Sequence, residues 1–265
     1  MIRTLQTRLW LSLLSAVMAL ILSSCQSVSV FPAPSLTRGN WAVTATSSDP
    51  AVGTIRLGGN LVQSGSSLSG SMFVVGSLCF DVSQAVSFTG TVRGKQVTLT
   101  SATVAGQVLK VAATTTSTSA MSGTYTITGG CADGDNGTVD ANAVPAISGT
   151  WKGPLTGSGG SNVDLSIALT QAKTASADGS FPLTGTLTYT GSTCSVNGTI
   201  TSAFIAGSYI LINANTLETD GSDGTVLYSN ILLDSSSAPK NMTGAYEIDW
   251  GLCAGDFQTL TVAKQ

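Results

Sequence analysis

The chain of 265 residues contains no histidine. That removes Ser-His-Asp and Cys-His catalysis, His-ligated zinc and any imidazole switch near neutral pH. Charged residues make up 9% of the chain and aromatic residues 6%. A domain built from so few aromatics has a thin core and needs reinforcement. The longest apolar run, Leu9 to Leu22, falls short of the roughly 20 residues that span a bilayer as a helix. None of the five cysteines forms a CxxC pair or stands beside a basic residue, so no thiol has the surroundings that activate it.

What the N-terminus does contain is informative. Arg3 and Arg8 precede the apolar run, and Leu22-Ser23-Ser24-Cys25 closes it. A basic start, a short apolar segment and small residues at its end are the parts of a cleaved export signal. The closing four residues resemble the lipobox of bacterial lipoproteins, with Leu22 three places before the cysteine and Ser23 and Ser24 between. The resemblance implies that residues 1–24 are removed and that the Cys25 thiol carries diacylglycerol. Acyl chains bury methylenes at about 0.8 kcal/mol each, and two or more chains make a stable anchor. Gln26, where an Asp commonly retains lipoproteins in the inner membrane, resembles the outer-membrane pattern. The expected location is therefore the bacterial cell envelope, lipid-anchored at the outer membrane. An ordinary secretory signal with an unmodified Cys25 is the alternative.

Beyond the leader, nine of the 11 basic residues and all 14 acidic ones remain, a net charge of −5. No basic cluster survives, so nucleic-acid binding has no electrostatic footing. Abundant Thr, Ser and Gly with little charge read as all-β. Four cysteines in an exported chain point to two disulfides.

Residues 25–37, with Pro32 and Pro34 among Ser and Val, read as a tether. The remainder says the same thing twice. Gly39-Asn40-Trp41 answers Gly149-Thr150-Trp151, and Leu68-Ser69-Gly70-Ser71 before Cys79 answers Leu183-Thr184-Gly185-Thr186 before Cys194. Ser122-Gly123-Thr124-Tyr125 before Cys131 answers Thr243-Gly244-Ala245-Tyr246 before Cys253, with Asp135 and Asp256 following. Landmarks recurring in one order define a tandem repeat, which places β domains at 38–144 and 145–265. The simplest pairing is Cys79–Cys131 and Cys194–Cys253, one staple per repeat worth about 4 kcal/mol. Pairings across the repeats are the alternative.

Within each repeat the apolar period is two, as in Val163, Leu165, Ile167 and Leu169, which predicts strands wet on one face. Glycines recurring at inward positions suit the sharp coiling of a barrel. About eight strands per repeat are expected, with no helix. Eight antiparallel strands opening on Gly-x-Trp resemble the calycins, the lipocalin and avidin-like up-and-down barrels. That resemblance implies that Trp41 and Trp151 close the barrel bases beneath a ligand cavity. Two β-sandwiches are the alternative fold.

Other constellations reduce to structure. Asp133-Gly134-Asp135-Asn136-Gly137 lacks the Glu and flanking helices of an EF-hand and reads as a polar hairpin turn, as does Asp220-Gly221-Ser222-Asp223-Gly224. Ser237-Ala238-Pro239-Lys240 matches S-x-x-K, but Pro239 and missing partner motifs exclude that chemistry. Glu218 and Glu247 are the only glutamates, and nothing pairs them for glycoside hydrolysis. Trp250 has no evident counterpart in the first repeat and is expected at a loop tip. No catalytic residue, metal or cofactor is expected. Two roles follow: a carrier holding a small apolar or amphiphilic ligand in a barrel, or a structural or adhesive envelope protein meeting polysaccharide or another protein. The first needs an apolar cavity of about 300 Å³ or more; the second needs filled barrels and an exposed aromatic patch.

Overall fold

A computed structural model describes residues 35–50, 52–77, 79, 85–157 and 163–265. The lipobox Leu22, Ser23 and Ser24, the lipidation site Cys25 and most of the tether lie outside the described residues. Every regular element among those described is a strand. The first eight are β1 (Gly39–Ser47), β2 (Thr54–Ser64), β3 (Ser67–Gly76), β4 (Ala85–Arg93), β5 (Gln96–Ser101), β6 (Val108–Ser117), β7 (Ala120–Thr128) and β8 (Asn136–Ala143). The second eight are β9 (Gly149–Gly157), β10 (Val163–Gln171), β11 (Phe181–Thr190), β12 (Ser195–Ala206), β13 (Tyr209–Glu218), β14 (Asp223–Leu233), β15 (Asn241–Trp250) and β16 (Phe257–Lys264).

Each set forms a closed antiparallel barrel in simple up-and-down order. β8 returns to β1 with Val43 opposite Ala141, and β16 returns to β9 with Leu260 opposite Leu155. Closure rules out the sandwich and leaves no sheet edge for another chain to extend. The alternation read from the sequence decides which side chains point inward. On β10, Val163, Leu165, Ile167 and Leu169 are buried while Asp164 and Ala168 are exposed. Tight coiling depends on small inward residues. A Cβ on Gly123 would lie 2.1 Å from the Ala112 carbonyl oxygen across the ladder, so only glycine lets β7 and β6 approach this closely.

The two barrels are closed at their bases in the same way. Trp41 and Trp151 sit near the starts of β1 and β9 with no exposed surface. Each indole Nε1 donates to a carbonyl four residues earlier, Thr37 at 2.8 Å and Ile147 at 2.9 Å. The incoming chain is held by a glutamine of the next strand: Gln63 Oε1 accepts from Leu36 N, and Gln171 Oε1 accepts from Ile147 N. Lys264 lies 5.5 Å over the Trp151 ring, adding a cation–π contact. At the opposite ends, disulfides join Cys79 to Cys131 and Cys194 to Cys253. Each ties the loop after its barrel's third strand to the loop after its seventh.

A seam joins the barrels near their bases. The Asn40 amide makes a two-way clasp with the turn between β12 and β13, donating from Nδ2 to Gly207 O at 2.9 Å and accepting from Gly207 N at 2.7 Å. Next to it a Cβ on Gly58 would fall 2.1 Å from Ala206 O, so the strands meet backbone to backbone. Phe73 stacks on Phe204 with ring centroids 5.4 Å apart.

Two measurements check this frame. In urea unfolding, Trp151→Ala is expected to cost about 3–5 kcal/mol through lost burial and a cavity. Asn40→Ala is expected to cost about 1–3 kcal/mol, because the buried Gly207 peptide then has no partner.

Candidate functional site

Three places could do chemistry or binding: the barrel interiors, the polar upper end of the second barrel and the surface around it. The interior of the first barrel is apolar and filled. Its residual cavity, bounded by Val43, Met72, Phe88, Val111 and Met121 among others, measures about 10 Å³. That is about the space of one water molecule, far below the volume needed to hold a carried ligand. The upper end of this barrel is polar but satisfied. Asp135, in the β7–β8 turn, accepts from the Tyr125 hydroxyl at 2.7 Å and from Ser47 Oγ at 2.6 Å. Gln107, fully buried, bridges the disulfide loops by donating to Cys79 O at 2.7 Å and accepting from Ala132 N at 3.1 Å. The acidic segment at 133–137 is thus a hairpin turn whose carboxylates are used internally: Asp133 Oδ1 accepts from Gly129 N at 2.6 Å.

The second barrel departs from the first at the equivalent level. The Tyr189 and Tyr228 hydroxyls hydrogen-bond at 2.6 Å. The Tyr246 ring packs against both, with centroids 5.2 Å from Tyr228 and 6.5 Å from Tyr189. Glu218, 1% exposed, accepts at Oε1 from Thr216 Oγ1 at 2.6 Å and Ser195 Oγ at 3.1 Å. Its Oε2 and the Oε1 of buried Gln258 have no hydrogen-bond partner among the described residues. Gln258 Nε2 donates to Asp256, the counterpart of Asp135. Three tyrosines, a glutamate and a glutamine therefore occupy what is mostly an aliphatic interior in the first barrel. The repeat marks Tyr246 through its partner position, Tyr125. Tyr189 and Tyr228 break the repeat, and that break is the signal of them available in the sequence.

Glu218 faces inward from β13, whereas Glu247 on β15 is exposed. The two glutamates stand on opposite faces of a barrel wall and do not form the facing carboxylates that glycoside hydrolysis requires. The Asp220 segment is a turn: Asp220 Oδ1 accepts from Ser222 N at 2.9 Å and Ser222 Oγ at 2.7 Å, and these bonds hold its carboxyl below the usual range. Among the described residues no group of three or more His, Cys, Asp or Glu side chains is placed to hold a metal ion.

Outside this polar end lies an apolar surface. Trp250 is 62% exposed, Phe257 56% and Leu252 50%. Trp250 is the last residue of β15 rather than a loop tip, Phe257 opens β16, and Cys253, bonded to Cys194, sits between them in sequence. Leu217 and Val196 are exposed on β13 and β12, two and three strands from β15 around the wall. By register the first-barrel position matching Trp250 is Gly129. Among the described residues the exposed aromatic surface thus belongs to the second repeat.

No family model matches this chain, and no curated protein matches it. Among solved structures it is similar to the Burkholderia oklahomensis agglutinin (BOA) at 14% identity, over 90% of this chain and 99% of that one, with a TM-score of 0.24. A likeness of that degree carries no functional argument, and the geometry of the two barrels has to supply one.

All five tyrosines have hydroxyl pKa values above the ordinary 10. Burial raises Tyr125 to about 12, aided by its bond to Asp135. Burial raises Tyr189, Tyr228 and Tyr246 further, and Tyr209 is raised by the same cause. Above pH 10 the unfolded chain loses phenol protons that the folded chain keeps, so stability falls as pH rises. A spectrophotometric titration is expected to show little phenolate until the second barrel unfolds in alkali, with absorbance and circular dichroism changing together.

Proposed function

We propose that this protein is a non-catalytic adhesive component of the bacterial envelope, tethered by lipid on Cys25 at the outer membrane. In this reading the upper rim of its second barrel binds envelope polysaccharide. The observation that carries it is the exposed Trp250, Leu252 and Phe257 group on a single hairpin. Exposed large apolar groups clustered on a small protein mark an interaction surface, and Trp is the side chain most enriched where binding energy concentrates. The barrel's outer wall also suits a polyhydroxyl partner: on the side opposite β15, Thr184, Thr186, Thr188 and Thr190 form an exposed row of hydroxyls along β11. The first barrel, filled and closed, then serves as a spacer between lipid and rim.

Two experiments test it. Full-length protein is expected to co-sediment with peptidoglycan or lipopolysaccharide from its own envelope, and Trp250→Ala to weaken that binding by about tenfold or more. In protein processed at Cys25, which lacks Trp10, Trp41 and Trp151 are buried, so acrylamide quenching reports Trp250 and should diminish on binding. Binding unaffected by the substitution, or cross-linking at the rim to a protein alone, would contradict the polysaccharide reading. For the anchor, labelled palmitate should enter the wild-type chain and not Cys25→Ser.

A further inference from the structure

A second surface feature lies away from Trp250, where the barrels meet. Beside the Asn40–Gly207 clasp a cleft of about 430 Å³ opens between the start of β1, β2 and the β10–β11 loop. That volume is in the range of small-molecule sites. Arg38 and Lys173 border it from opposite barrels, Asn60 and Thr174 also line it, and Ala175 adds apolar surface over the buried Phe181. Arg38 and Lys173 have no carboxylate partner among the described residues, although acidic residues outnumber basic ones 14 to 11. The loop's own carboxylate, Asp178, is engaged by Ser180 N at 2.9 Å and Ser180 Oγ at 2.8 Å. The Asn60 amide and Thr174 hydroxyl are likewise without partners among the described residues. The walls are rigid: a Cβ on Gly179 of the same loop would fall 1.9 Å from Ser71 O, so the loop is pressed against the first barrel.

We propose that this cleft binds an acidic sugar. Two unpaired cations call for a carboxylate or sulfate. A free amide and hydroxyl call for ring hydroxyls, and the partly exposed Ala175 methyl suits the C–H face of a pyranose. A simple anion would use only the first of these, and a neutral sugar only the others. The site draws one cation from each barrel, so it exists only because the seam fixes them together. It stands independently of the rim around Trp250.

The test is calorimetric titration of the full chain in detergent with sodium glucuronate, glucose and inorganic phosphate. Glucuronate is expected to bind at least tenfold more tightly than either comparison ligand. Arg38→Gln and Lys173→Gln, both at exposed positions, should each weaken it by about tenfold, the usual loss for one charge-assisted bond. Circular dichroism should be unchanged in both. Trp250→Ala should leave glucuronate binding intact, which separates this site from the rim. Phosphate binding as tightly as glucuronate would reduce the cleft to a plain anion site and overturn the proposal. So would glucuronate binding that matches glucose or survives both substitutions.

Discussion

Closure of the hydrogen-bonded ladder is the constraint on which everything else depends. A chain with 9% charge and few aromatics cannot rely on ion pairs or a large ring-packed core. It stabilises its backbone by giving every strand two neighbours, so each barrel satisfies its own amides without an open edge. Closure at this radius demands small inward residues, hence the glycines whose missing Cβ atoms admit a neighbouring carbonyl. It also leaves two open ends. The bases are sealed by Leu36 or Ile147 with a buried tryptophan, and the upper ends by disulfides that join two loops across each mouth.

Given that frame, the contrast between the barrels is where specialisation shows. The first has an apolar interior and an Asp135 whose hydrogen bonds are complete. The second places three tyrosines, Glu218 and Gln258 at the equivalent level, with two acceptor atoms unpartnered, and sets exposed aromatics outside them. Buried polar groups without partners are costly, and such costs concentrate where a structure has been shaped by something other than stability. The first barrel's interior has room for little more than a water, and the surface features that set this molecule apart are the rim of the second barrel and the cleft between the two.

Much of the fold is legible in the sequence because it is periodic or repeated. Alternation along β10 identifies the inward residues, and paired landmarks in the two repeats locate the strands and the tryptophans of the bases. Pairing cysteines within repeats is likewise a matter of register, and the structure carries those bonds. What escapes is what does not repeat. The Asn40–Gly207 clasp joins residues 167 apart, with no pattern to announce it. Glu218 reads as a lone acid until its strand places it inside the wall. Trp250 stands out for lacking a counterpart, yet the loop expected there is the end of a strand. The cleft is a product of docking, and no stretch of either repeat contains it.

The most direct test of whether function lies on the outside is native mass spectrometry of the full protein purified from its own envelope in mild detergent. The mass expected is that of the polypeptide from Cys25 with its acyl groups, less four protons for two disulfides, and nothing that departs on denaturation. A reproducible extra mass of a small apolar molecule, lost when the barrels unfold, would show an interior that holds cargo and would contradict a role confined to the outer surfaces.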